Sequence, residues 1–349
     1  MKNKIFCISL LLLFCQCTKN QDSQNSPSKE KVLQLYCWTN YFSPQMIQAF
    51  EKKTNSKVII NYFSSNEELL AKLQAGAKGY DLIVPSGYLI RALKTLNLIE
   101  PLGELNWPEL KKLIPRASKP DYDPLHEYTI PYAWGTTGIA INRAKIKGKV
   151  DSWAWVFNHP EFKGKITMLE DAPAVVGAAL KYLGYSYNES RPEVFAKAKE
   201  LLIKQKPLLK AYTIEHDSFL VTGEVALAHI YSGDSLQIRK KNPHIEYVLP
   251  KEGSEIYMDN LAIPKGAASP DLAKEFIRFT LDTKMALLQT QHLFFSPVVD
   301  IRGLPGAEEL FSNPGIFPSD YVLKNFEMAS DDPKRIDLIQ KIWIELKSI

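Results

Sequence analysis

From Val32 onward, short apolar runs alternate with segments whose apolar positions repeat every three or four residues. "VLQLYC" is apolar enough to be a buried strand. "SPQMIQAFEKKT" behind it reads as a helix, with Ser43 as cap and Pro44 in the first turn. "KVIINYF" repeats the strand and "SSNEELLAKLQAG" the helix, opened by a Ser65–Glu68 capping box with Leu69, Leu70 and Leu73 on one face. "YDLIVPSGYLIRALKTLN" is a third strand, turn and helix. Alternation at this spacing predicts a mostly parallel sheet covered by helices. Ligands of such sheets sit beyond the C-terminal ends of the strands, the edge on which Trp38, Ser86 and Tyr88 fall.

The pattern restarts after "IPYAWGTTGIAIN". "SWAWVF" reads as a helix, "GKITMLED" as a strand ending in acids, and "APAVVGAALKYLG" as a helix closed by Gly184. "GEVALAHIYSGDSLQIRKK" is again strand, turn and helix, and "HIEYVLP" a further strand. Two stretches read as crossings between lobes, "AWGTTG" near 133–138 and "YMDN" near 257–260. "LAIPKGAASPDLAKEFIRFTLD" returns to strand–helix form. The C-terminal "DPKRIDLIQKIWIELK" is an amphipathic helix with Ile336, Ile339, Ile342, Trp343 and Leu346 as its buried side.

With 349 residues, 45% of them hydrophobic and 23% charged, the chain can build two cores. The formal net charge of +4 is spread along it, and no Lys/Arg block alternates with aromatics, which argues against nucleic acid as a partner. The first residues are not part of the fold. Lys2 and Lys4 precede "IFCISLLLLF", a run too short to span a bilayer, so residues 1–16 read as an export signal. Thr18 to Lys31 is too polar to pack, and residues 17–31 read as a flexible tether. Three of the four cysteines (Cys7, Cys15, Cys17) lie in this segment, which excludes a disulfide scaffold. A cysteine where an apolar run meets a polar tether resembles a bacterial lipoprotein processing site, and Cys17, directly before the tether, is the expected acylated residue. Secretion without lipid is the alternative. Removing residues 1–16 takes away two lysines and no acid, leaving a nearly neutral chain.

Enzyme signals are weak. There is no G-x-S-x-G elbow, no phosphate loop and no H-E-x-x-H, so neither catalytic residue nor cofactor is expected. The six histidines lack metal spacing and read as surface or half-buried residues. Cys37, without a cationic neighbour in sequence, reads as a buried structural thiol. What recurs is an aromatic close to a small polar or acidic residue at strand ends and crossings: "CWTNY", "PSGY", "YSGDS", "YMDN", with two acids in "LEDAP". Any one such ring is equally well a large half-buried side chain with a wet tip. Together at the ligand-binding edge they describe a slot of rings and carboxylates, suited to a flexible organic polycation. A sugar site would carry more Asn, Gln and Arg, and a ferric site paired tyrosinates with His or carboxylate.

From "LYCWTNY" through "DLIVPSGY", "IPYAWGTTGIAIN", "WVFNHPEFKGKITMLEDAP" and "PKEGSEIYMDNLAIPKGA" to "NPGIFPSDYVLKNF", the chain resembles the periplasmic spermidine/putrescine-binding proteins of bacterial ABC transporters. The most specific motifs are the W-T/S-x-Y turn, the V-P-S-x-Y turn and the acid before L-A-I-P. The resemblance implies an α/β fold of two lobes, each a mostly parallel sheet flanked by helices, with a polyamine held between them. It assigns 32–135 and 260–298 to one lobe and 136–259 and 299–349 to the other. It also implies that Trp38, Thr39, Tyr41, Ser86 and Tyr88 line the first lobe, with Asp171, Tyr231 and Asp234 from the second, and Tyr257 beside Asp259 as central carboxylate. Tyr231 and Tyr257 stand where that family usually has tryptophan.

Three departures thin the set: Asn40 and Ala174 replace acids, and the glutamine of spermidine-preferring members is missing near "NFEMA". Asp234 and "NPGIFPSD" lean towards putrescine, with spermidine open. The expected protein is a monomer without metal, anchored by lipid in the periplasm or on the outer face of the cytoplasmic membrane. It would close on its ligand and pass it to a membrane permease. The alternatives are a same-fold protein for another solute and a lipid-anchored surface interaction protein.

Overall fold

The computed structural model describes residues Lys31–Ile349 as one compact unit. The expected signal (1–16), Cys17 and the tether as far as residue 30 lie outside the described residues, whereas Lys31 is already the first residue of a strand. Nine strands build the frame: β1 (Lys31–Trp38), β2 (Ser56–Phe63), β3 (Leu82–Ile83), β4 (Thr129–Asn142), β5 (Ile166–Met168), β6 (Leu209–Tyr212), β7 (Leu227–Tyr231), β8 (Ile245–Val248) and β9 (Glu255–Ala262). They run in the order β2-β1-β3-β9-β4-β7-β5-β6, with β8 also on β4.

The sheet is mixed rather than mostly parallel. β1 is parallel to β2 and β3, and β5 to β6 and β7, as strand–helix alternation requires. The two middle strands run the other way: β9 is antiparallel to β3 and β4, and β4 to β7 and β8. These are the stretches read as crossings. β4 is buried along all fourteen residues, pairing Thr136 with Ile256 of β9 and the next residue, Thr137, with Tyr231 of β7. It therefore leaves one half of the sheet and enters the other without a break. Gly135 sits at this junction because the Tyr257 ring lies across it, and a Cβ there would collide with the phenol.

Period-two alternation sorts the strands into cores on either side of each half. Leu33, Leu35 and Cys37 of β1 enter one core with Met46, Phe50 and Phe276, while Tyr36 enters another with Phe63, Leu69 and Leu93. In the other half, Ile139 and Ile141 join Trp153, Val175 and Leu202, and Ala140 turns to Leu220 and Ile230. Ile301, Leu310, Ile316 and Phe326 pack with the first core. The C-terminal helix Pro333–Ser348 packs with the second through Ile339, Ile342 and Leu346.

That helix differs from expectation on one side: Ile336 and Trp343 are only half-buried, while Arg335 is buried at 1% exposure. The capping box of helix Asn66–Gln74 is shifted on one arm. Ser65 Oγ accepts from Glu68 N at 3.0 Å, but the Glu68 carboxylate accepts from the backbone of Ser64 at 2.8 Å, one residue earlier. Three histidines are not peripheral: His126, His216 and His229 are buried, and desolvation holds the last two neutral with pKa values lowered to about 3. Cys37 is the buried thiol expected, its pKa pushed up to about 12 by burial.

Candidate ligand-binding site

β9 delivers the central carboxylate. Its alternation places Glu255, Tyr257 and Asp259 on one face. Asp259 is 5% exposed and is met by the ends of two parallel strands. The Tyr41 hydroxyl, from the turn after β1, donates to Oδ2, and Ser86 Oγ, after β3, donates to Oδ1 at 2.6 Å. A backbone bridge between Ser86 and Asp259, and Asn260 N on Pro85 O at 2.9 Å, fix that approach. Burial pushes the Asp259 pKa up to about 6; the Ser86 and Tyr41 hydrogen bonds oppose the shift and the charge of Asp171 adds to it.

A second carboxylate comes from the other half of the sheet. Asp171 caps helix Ala172–Tyr182, accepting from Ala174 N at 2.8 Å on Oδ1, while Tyr231 at the end of β7 donates to Oδ2 at 2.9 Å. The position where a second acid is missing, Ala174, is thus the residue whose amide holds the first. Burial raises Asp171 despite these donors and the charge of Arg335. Tyr88, after β3, is held by Asn66. Its hydroxyl accepts from Asn66 Nδ2 at 2.9 Å and lies within the field of both Glu67 and Asp171, so its pKa is held well above that of a free phenol, by burial first.

Rings close the space between the acids. Tyr231 meets Tyr257 edge-on at 5.2 Å, Tyr257 meets Phe295 at 6.2 Å, and Phe295 meets Tyr41 at 5.4 Å. The Tyr257 hydroxyl is buried without a hydrogen-bond partner. Asp234, in the first turn of helix Ser232–Lys241, has its pKa raised to about 6 by burial and then by Asp217, and its charge reaches Tyr257. Ser86, Tyr88, Glu255 and Tyr257 line one small cavity.

Not every expected residue joins this cluster. Trp38 packs edge-on against Phe63 at 4.5 Å, with its Nε1–H buried and unpartnered. Thr39 and Asn40 are exposed on the turn, and Asn40 takes φ 55°, a left-handed conformation that asparagine tolerates. Arg91 is exposed. Arg143 is committed to Glu246 at 2.6 and 3.0 Å. Four participants were not foreseen: Phe295, Glu67, Glu255 and Arg335. "HLFFSP" offered a signal for Phe295, aromatics at the mouth of a short strand, and period two from Asp259 offered one for Glu255. Glu67 keeps contact with solvent, yet crowding and then the charge of Asp171 raise its pKa. Among the described residues, no group of three or more His, Cys, Asp or Glu is arranged to hold a metal ion.

The family model for bacterial extracellular solute-binding proteins matches residues 45–300. The chain belongs to that family. Among curated members, the putrescine-binding periplasmic protein of Escherichia coli (strain K12) is 31% identical over 342 residues, 92% of each chain. The spermidine/putrescine-binding periplasmic protein of the same organism is 32% identical over 321 residues, 91% of this chain and 92% of its own. Among solved structures, the Tp0655 lipoprotein of Treponema pallidum superposes with a TM-score of 0.81 at 28% identity, covering 90% of this chain and 99% of that one. The spermidine/putrescine ABC transporter substrate-binding protein of Streptococcus pneumoniae gives 0.78 at 28%, over 91% and 99%. The fold is therefore the two-lobed one of periplasmic solute-binding proteins, and the family's role is binding for transport rather than catalysis.

Proposed function

We propose that this solute-binding protein captures a polyamine between its lobes and delivers it to an ABC transporter permease. One observation carries the reading: Asp259 is buried among rings, held by two hydroxyl donors, and has no cation of its own. Among the described residues no ion pair ends on Asp171, Asp234 or Asp259. Buried carboxylates are tolerated when paired. An amine dication or trication supplies the missing charge, and the tyrosine and phenylalanine faces cover its methylenes. The names of the curated relatives, which bind putrescine or spermidine, support the same chemistry.

Closure follows from differential contact. Tyr41, Ser86 and Tyr88 approach from one lobe and Asp171, Tyr231 and Asp234 from the other; residues 299–326, expected in the second lobe, pack instead with the core of the first through Ile301, Leu310, Ile316 and Phe326. Only the closed form presents both sets to one ligand, so the ligand selects it. In this reading the protein works as a monomer outside the cytoplasmic membrane, held there by a lipid on Cys17. The lipoprotein neighbour of Treponema pallidum supports the anchor.

The test is thermal unfolding of the full-length chain with putrescine, spermidine, spermine, cadaverine and arginine. A ligand that binds only the folded form raises the midpoint by mass action. The expected result is a rise with putrescine or spermidine that Asp259→Ala abolishes. No rise with any amine overturns the reading and turns the search to other solutes.

A further inference from the structure

We propose that Glu255 is a further ligand-facing carboxylate and that it makes the site select amines carrying a third cationic nitrogen. This rests on the polyamine reading and deepens it. Glu255 is 6% exposed and lines the same cavity as Ser86, Tyr88 and Tyr257. It lies four residues before Asp259 on one face of β9, so their backbone positions are separated along the strand by roughly 13 Å. An extended four-carbon diamine spans about 6 Å between its nitrogens, taking bonds of about 1.5 Å, and a triamine with one three-carbon and one four-carbon arm about 11 Å. The diamine satisfies one end of β9, whereas the triamine reaches along it.

The charges point the same way. Asp171, Glu255 and Asp259 act on one another, Asp171 also acts on Glu67, Asp234 acts on Tyr257, and the buried cation beside them is Arg335. Arg335 does not line the cavity; its guanidinium lies over the Tyr187 ring at 5.0 Å, with Nε on Tyr187 O at 3.2 Å. One guanidinium against these carboxylates leaves a deficit of positive charge that a triamine fills further than a diamine does.

The surroundings of Glu255 come from several elements. Asp259 shares its strand, Tyr88 lines the cavity with it, the charge of Asp171 reaches it, and its own charge reaches Tyr231. Tyr187, whose hydroxyl lacks a well-formed hydrogen bond, and Arg335 stand behind it. Glu327, its neighbour on the paired strand Glu327–Met328, is occupied by Lys181 at 2.9 Å. Arg335 is thus the one cation acting on it, and like charges act from two sides. Burial, then Asp171, raise its pKa to about 8, so the empty site holds a proton there at neutral pH. An arriving ammonium displaces that proton to solvent, which makes triamine binding proton-linked.

The experiment is calorimetric titration of the full-length chain with spermidine and with putrescine from pH 6.5 to 8.5, in two buffers of different ionisation heat. Spermidine should release close to one proton at pH 7, and its affinity should rise several-fold per pH unit up to about 8. Glu255→Gln should lose at least tenfold in spermidine affinity at pH 8, less than threefold for putrescine, and the pH slope with it. Equal loss for both amines, or an unchanged spermidine-to-putrescine ratio, overturns the role of Glu255 and leaves the polyamine reading standing. Wild-type protein that binds spermidine with no proton release at pH 7 also overturns it, independently of how the variant folds. Wild-type protein that binds neither amine overturns both.

Discussion

Single carboxylates set how the empty protein responds to pH. Burial lifts Asp259 and Asp234 from an ordinary 3.8 to about 6 and Glu255 from 4.5 to about 8. For each, the folded chain holds a proton that the unfolded chain has already lost. That stability is complete below about pH 4 and is lost as pH rises through 6 and then 8. His216 and His229 act in the opposite sense: with pKa values near 3 against an ordinary 6.5, their contribution is complete above 6.5 and lost as pH falls towards 3. Between pH 6.5 and 8.5, then, Glu255 is titrating. The ligand-free melting temperature should fall across this window, with a slope of at most about 1.4 kcal/mol per pH unit. Saturating amine should flatten it. Melts at the two pH values decide this, and a midpoint that stays level or climbs without ligand contradicts the ionisation scheme.

Elements bring these residues together, and one helix shows how. Asp171 starts helix Ala172–Tyr182, and the Tyr187 ring lies across Gly177 on it, with Arg335 of the C-terminal helix stacked on the far side. A Cβ at position 177 would run into that ring. Alanine gains up to about 1 kcal/mol over glycine inside a helix, but overpacking a filled site costs about 1–3 kcal/mol. Gly177→Ala should therefore destabilise in urea unfolding, and Tyr187→Leu in the same chain should relieve most of the loss; a neutral Gly177→Ala would show that the ring yields freely.

The same helix marks the limit of the sequence. Its span, its cap and the strand–helix rhythm around it were legible, because period and capping are local properties. "AWGTTG" was read as a crossing between lobes, and β4 passes there from one half of the sheet to the other. The antiparallel sense of β4 and β9 was not legible, since strand direction depends on partners more than a hundred residues apart. Nor was the approach of Glu255 to Arg335, eighty positions on. Arg335 read as part of a polar face until the helix was docked, and no local pattern says that a guanidinium will be stacked on a ring and buried.

At the scale of the whole molecule, an ion pair joins helix Ile90–Thr95 to the segment before the C-terminal helix, elements that the proposed division puts in different lobes. Arg91 lies on helix Ile90–Thr95, whose Ile90 and Leu93 are buried in the first lobe. Asp331 directly precedes the C-terminal helix, which packs on the core of the second. Their side chains meet at 2.5 Å, with Arg91 62% exposed and Asp331 17%. Such a pair contributes at most about 1 kcal/mol in water, less in salt. Its effect on global unfolding should be small, because each lobe keeps its own core without it. Its effect on closure is different in kind, since opening the lobes separates the two groups while leaving both cores intact. Arg91→Ala should leave the ligand-free melting temperature within a degree or two of wild type. It should weaken amine binding by no more than about fivefold, mainly through faster dissociation, because the pair forms after the ligand is already between the lobes. Raising the salt should erase the difference, since screening removes from wild type what the substitution removes from the variant. Stopped-flow dissociation of spermidine at low and high ionic strength measures all of this at once. Equal off-rates for the two proteins at low salt would show that closure is held by the ligand and the cleft walls alone.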